Sequence, residues 1–278
     1  MSITDFTARI RARQPALGYW SVLDSPVSTE RIARLGYDYV CLDAQHGLLG
    51  YSGLLNSLTA IDAGGVSAGL VRVEANDAAR IGRALDAGAA GVIVPLIDTA
   101  DDAAAAVSAT RYPPKGRRSY GPMRSALRIG PRPADSDATV LVLAMIETAQ
   151  GLANIEAICA TPGLDGVYVG PSDLALALGA AFPGDPAIAA RFEDALVTVR
   201  EAAKSAGIAA GIHTPDGAGA AKRLAEGYTF ASIASDLVHL EQVAKSHLTD
   251  ARAQSSRGAQ SSRGAQSSRG DQSSQGES

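Results

Sequence analysis

Two acids each stand where an apolar run gives way to a helix-forming stretch: Glu147 closes VLVLAMIE and Asp173 closes DGVYVGPSD. In a parallel α/β architecture the carboxyl ends of the strands open on one face, so acids placed this way converge despite their separation along the chain. Two hard oxygen ligands with no cysteine or histidine beside them point to a divalent cation. Mg²⁺ or Mn²⁺ fits such a donor set better than Zn²⁺, with Co²⁺ as a further option. Three more reactive side chains hold the same kind of position: the second apolar run ends in LDAQHG, with Asp43 and His46, and the third ends in VRVEAN, with Arg72. Each alone has a structural explanation, as a helix N-cap, an ion-pair partner or a packed histidine. Together they supply an acid–base group, a cation and a metal cage at one end of a sheet, a coincidence that packing does not require.

The elements that must position these groups are short β-rich runs alternating with alanine-rich helical stretches, the pattern of repeated βα units. Eight strands are predicted, at 16–23, 39–43, 68–73, 91–97, 140–146, 166–169, 209–213 and 230–234. The sixth unit carries an extra helix over 186–206, with Ile188, Phe192, Leu196 and Val199 at helical spacing. Eight such units close into an α/β fold, the (β/α)8 TIM barrel, of about 250 residues. A doubly wound open sheet is the competitor, but YWSVLDSPVSTE after the first strand has no glycine fingerprint for a nucleotide. From residue 253 a six-residue AQSSRG repeat carries almost no large apolar side chains, so residues 1–252 are read as the barrel and 253–278 as a disordered tail.

The 278 residues are 46% hydrophobic and 19% charged, enough for one large core. A net charge of −4 gives no electrostatic reason to expect nucleic acid or an anionic membrane as partner, so small molecules are the expected ligands. No long charge-free apolar run suggests a membrane span, and Cys41 and Cys159 lie in apolar stretches as packed, reduced thiols, which together predict a cytoplasmic protein.

The segments GYDYVCLDAQHG, VRVEANDAARIGRALDAGAAGVIVP, ATRYPPKGRRSYGP, MIETAQGLANIEAI and DGVYVGPSDLALALG occur in that order. With them the chain, from about Leu17 to about His247, resembles the HpcH/HpaI aldolases, metal-dependent pyruvate aldolases of the phosphoenolpyruvate/pyruvate barrel superfamily. The resemblance implies metal ligation by Glu147 and Asp173, acid–base chemistry by His46 with Asp43 as its partnering acid, and enolate stabilisation by Arg72. It also implies that the turn of Gly170, Pro171 and Ser172 holds the substrate carboxylate through backbone amides. Asp86, in RALDAG, matches an acid that reaches a neighbouring subunit's histidine, which implies a homo-oligomer, trimer or hexamer. The chain departs from the pattern at Gln45, where many relatives carry glutamate, and at Met145, where some carry a substrate-contacting glutamine.

The expected reaction is reversible cleavage of a 4-hydroxy-2-oxo acid to pyruvate, or a close 2-oxo acid, and an aldehyde. Such chemistry needs an electron sink, either a lysine imine or a Lewis-acid metal. The only lysines are Lys115, Lys204, Lys222 and Lys245, none of them on a predicted strand. Residues 115–132 hold six cations and no acid, which suits a lid over an acidic or polyhydroxylated acceptor or, equally, a subunit contact or a solvated surface. His213, at the end of the seventh strand, is a further candidate for contact with the acceptor. Two other readings stand beside this one: a citrate-lyase-β-like enzyme acting on CoA thioesters, against which the LDAQHG histidine argues, and a non-catalytic barrel acting as a binding protein, against which the complete set of reactive groups argues.

Overall fold

The computed structural model describes residues 2–270, without the side chains of 254–270. The chain divides into two units, Met1–Asp236 and Leu237–Ser278, so the boundary expected after residue 252 falls within the second. The last helix is Asp236–Gly270. The disordered tail expected over 253–278 concerns residues whose side chains, or beyond 270 whose whole placement, lie outside the described residues.

Eight parallel strands form a closed barrel in chain order: β1 (Ala16–Ser21), β2 (Tyr39–Asp43), β3 (Ala68–Arg72), β4 (Gly91–Val94), β5 (Leu141–Ile146), β6 (Gly166–Val169), β7 (Ala209–Thr214) and β8 (Phe230–Ser235), with β8 pairing back onto β1. Three strands end earlier than predicted, β3 by one residue and β1 and β4 by more. Beyond β1 the amides of Val22 and Leu23 turn to the carboxylate of Asp236 and leave the ladder. Beyond β4, Pro95 has no N–H to donate and Leu96 adopts a left-handed conformation with φ 53°.

Because side chains alternate along a strand, parity decides which residues face the barrel axis. On β5, Val142, Ala144 and Ile146 join the cluster packed under the helices, whereas Leu141, Leu143 and Met145 join the interior cluster. Glu147 continues the inward set. The same rule puts Tyr39, Cys41 and Asp43 of β2 inside, and Ala68, Leu70 and Arg72 of β3. Beneath the carboxyl end the interior is filled by Tyr39, Tyr168 and Phe230, and Ser232 bonds both tyrosine hydroxyls at 2.8 and 2.7 Å. A helix not anticipated from the sequence, Ile3–Arg11, adds Phe6 and Ile10 to this interior cluster. Its Ser2–Asp5 capping box and its apolar residues at 3, 6 and 10 are helix signals.

Both cysteines are buried free thiols, and burial pushes the Cys159 thiol up to about 12, so neither is a nucleophile near neutral pH. Among the described residues no helix is long and apolar enough to cross a membrane.

Candidate active site

At the carboxyl end of the barrel a cavity of about 260 Å³ is lined by, among others, Trp20, His46, Arg72, Met145, Asp173 and His213. Arg72 is buried, and its partner is its register neighbour across the β2–β3 ladder, Asp43. The Arg72 Nε lies 2.9 Å from Asp43 Oδ1, and Nη2 meets Oδ2 to complete a two-point grip. Trp20 donates its indole N–H to the same carboxylate at 3.2 Å, and its ring lies 5.1 Å from the guanidinium carbon. These bonds hold the Asp43 carboxyl below the usual range even though burial pushes the other way. Arg72 is therefore fixed before any ligand arrives.

Asp43 meets His46 through the backbone: its Oδ1 accepts the amides of Gln45 and His46, both at 3.1 Å. The carboxylate organises the turn that carries the exposed imidazole and makes no recorded bond to the ring among the described residues. Gln45 leaves its own side-chain oxygen buried without a partner.

Glu147 is buried, at 3% exposure. One oxygen accepts the Leu96 amide at 2.9 Å, and the other, Oε2, is buried with no partner. Burial, the largest cause, and the nearby charge of Asp173 push the Glu147 carboxyl upward, while the Leu96 amide, Arg72 and His46 act the other way. Neither acid is a cap: the N-caps of the neighbouring helices are Thr148 and Gly170, and Asp173 sits exposed in the first turn of Pro171–Ala177. Gly170 is needed for close approach, since a Cβ there would lie 2.7 Å from both Glu147 Oε2 and the Met145 methyl carbon. Leu96, an L-residue with positive φ at a cost of about 1 kcal/mol, aims its amide at the carboxylate.

A buried, unpartnered carboxylate oxygen beside a second acid is the donor set a hard divalent cation takes. Among the described residues no group of three His, Cys, Asp or Glu side chains surrounds one point, so any remaining positions would fall to substrate or water. Mg²⁺ in particular keeps such positions.

In the turn after β6, Gly170 donates its amide to Ile146 O at 3.3 Å and Pro171 has none. The donors left for an anion are the first-turn amides of Ser172 and Asp173, which have no partner within the helix. His213 lines the cavity with its ring edge-on to Trp20 at 5.2 Å and its Nδ1 buried without a partner. Burial, with Arg72 adding to it, pushes its imidazole down to about 4, so the ring is uncharged at neutral pH.

Asp86 is not brought into this cavity. It ends the helix Ala78–Asp86, at the amino end of the barrel, and accepts from Arg118 Nη2 at 2.7 Å. The cationic segment lies at that same end, as a helix-to-strand connection must. Arg118 pairs with Asp86, Arg124 and Arg128 with Asp62, and Arg132 with Asp135, so within one chain these cations do not close over the mouth. Trp20 and Leu96 are the supports the sequence reading missed. A lone tryptophan at the end of the first strand was a signal for one; nothing in the sequence marked the other.

The sequence model of the HpcH/HpaI aldolase/citrate lyase family matches residues 16–242. The hydroxypyruvate/pyruvate aldolase of Rhizorhabdus wittichii is 42% identical over 241 residues, 86% of this chain and 95% of that protein. The 5-keto-4-deoxy-D-glucarate aldolase of Klebsiella pneumoniae is 39% identical, over 84% of this chain and 90% of that one. A solved HpcH/HpaI aldolase/citrate lyase family protein from Burkholderia cenocepacia superposes with a TM-score of 0.83 at 35% identity, covering 90% of this chain and 99% of the other. A barrel that gathers acids, a fixed arginine and a histidine at one mouth thus finds its relatives among aldolases, and the chain belongs to the HpcH/HpaI aldolase/citrate lyase family, as a metal-dependent carbon–carbon lyase.

Proposed function

We propose that this enzyme reversibly cleaves 4-hydroxy-2-oxo acids to pyruvate, or a close 2-oxo acid, and an aldehyde. The observation that carries the reading is the unpartnered, buried Oε2 of Glu147, beside Asp173 and within the field of a fixed arginine. The names of the hydroxypyruvate/pyruvate and 5-keto-4-deoxy-D-glucarate aldolases support the substrate class. Glu147 and Asp173 are the residues that would hold the cation, and their all-oxygen character favours Mg²⁺ or Mn²⁺. When bound, such a cation supplies the electron sink for carbon–carbon cleavage next to a ketone.

The chain's own groups do the rest. Arg72, gripped by Asp43 and backed by Trp20, adds fixed positive charge where an enolate oxygen develops, and needs no reorganisation to do so. The amides of Ser172 and Asp173, shaped by Gly170 and Pro171, offer donors to the substrate carboxylate. His46, on the turn held by Asp43, moves the proton of the aldol hydroxyl. Asp86 has no access to this cavity in its own chain, so its catalytic role is assigned in a homo-oligomer, trimer or hexamer, where it meets a neighbour's site. The cytoplasm suits a protein with two free buried thiols.

Release of pyruvate from a panel of 4-hydroxy-2-oxo acids, with and without chelator, tests the class; chelator-insensitive release would overturn it. His46→Ala should slow turnover more than it weakens Mn²⁺ binding by calorimetry, whereas Glu147→Ala should abolish both. Unchanged turnover in either variant refutes the assigned roles.

A further inference from the structure

A second cavity of about 450 Å³ lies against the first and shares three lining residues with it, Pro171, Ser172 and His213. Its remaining wall comes largely from Ala175 of the helix Pro171–Ala177, Pro183 and Ile188 of the connection after it, and Ala189 and Phe192 of the extra helix Ala189–Ala206. Two acids also line it, and both are already engaged. Asp185 accepts the amides of Ala181 and Ala187, each at 2.9 Å, and so folds the loop. Glu193 is held at both oxygens by Arg223, at 2.6 and 2.7 Å. The cavity therefore presents mostly apolar carbon and no cation, with the Asp185 carboxylate, bonded by neutral amides, as its one charge without a counter-ion among the described residues, unlike the neighbouring site, where Arg72 and Asp173 dominate.

We propose that this second cavity receives the chain of the acceptor aldehyde and selects apolar aldehydes, aliphatic or aryl. The inference rests on the aldolase reading, because the reacting carbonyl must lie in the first cavity, close to Arg72 and His46, for its substituent to pass Ser172 and His213 into the second. Lining that is mostly apolar carbon and offers no cation penalises carboxylate-bearing acceptors, which would meet the charge of Asp185, and leaves most hydroxyls of a polyol without partners for the hydration they lose. Each methylene buried there raises kcat/KM by about fourfold, the transfer free energy of one CH₂.

The test is aldol addition of pyruvate to unbranched aldehydes from acetaldehyde to octanal, with benzaldehyde and glyceraldehyde beside them, in the wild type, Ala189→Trp and Phe192→Ala. Ala189 is exposed at the start of its helix, so the indole fills the cavity without disturbing the core. The expected result is kcat/KM that climbs with chain length in the wild type, with the long-to-short ratio reduced at least tenfold in Ala189→Trp and lowered in Phe192→Ala. A flat series, a preference for glyceraldehyde over aldehydes of similar size, or a ratio untouched by Ala189→Trp overturns the proposal. Metal-dependent exchange of the pyruvate methyl protons with deuterium, run without acceptor, separates the two levels. Exchange with a flat aldehyde series removes only the acceptor cavity, whereas no exchange and no addition removes the aldolase reading and this inference with it.

Discussion

Replacing Glu147 by glutamine should make the metal-free protein more stable while removing its response to metal. In the wild type, Oε2 is a charged oxygen buried with no partner, and Asp173 adds a second negative charge nearby. Glutamine keeps an oxygen for the Leu96 amide and removes the charge, but it buries an N–H₂ in place of Oε2. An unsatisfied buried polar group costs about 1–3 kcal/mol, and more when charged, so the net gain is about 1 kcal/mol. For a domain of this size that is a rise of roughly 2–4 °C in Tm. The sign reverses with metal. Wild type should gain about 2.7 kcal/mol when free Mn²⁺ is a hundredfold above its Kd, and the variant should gain nothing. The pH dependence follows from the raised folded-state pKa: the penalty in wild type is present above that pKa and disappears below the unfolded value near 4.3. The advantage of the variant should therefore vanish on acidification. Thermal unfolding in chelator and in Mn²⁺, at neutral pH and near pH 4, reads all of this. A variant less stable than wild type in chelator, or one still stabilised by Mn²⁺, would refute the reasoning.

Two further perturbations probe the supports. Asp43→Asn leaves the Arg72 guanidinium buried without its two-point partner and should destabilise the fold by about 3–5 kcal/mol, measured by urea unfolding, whereas Asp43→Glu should recover part of it. His213 has a depressed pKa, so the unfolded chain binds its proton more readily and wild-type stability should fall as pH drops from about 6.5 towards about 4. His213→Gln should flatten that part of the profile, and an unchanged slope would place the acid sensitivity elsewhere.

The strands were readable along the chain, because short β-rich apolar runs alternating with helical stretches are a local pattern. From eight such units follows the barrel, with Asp43, Arg72 and Glu147 at strand ends. The placing of Glu147 and Asp173 at the same end of the barrel was readable because both acids terminate apolar runs. What needed the folded molecule were relations between strands. Register across β2–β3 decided that Asp43 grips Arg72 and reaches His46 only through its amide. Closure of the barrel brought Trp20 of β1 against β2, β3, β6 and β7 at once. The Leu96 amide meets a carboxylate 51 residues away through a backbone conformation no side-chain pattern announces. The cations of 115–132 read as a lid or, equally, a subunit contact or solvated surface, because composition reports charge and not place; a helix-to-strand connection lies at the amino end of a barrel, and there Asp62 and Asp86 claim three of the six. Local chemistry sets which face each residue shows, and only chain closure sets which residues share a face, because that depends on long-range pairing that no window of sequence contains.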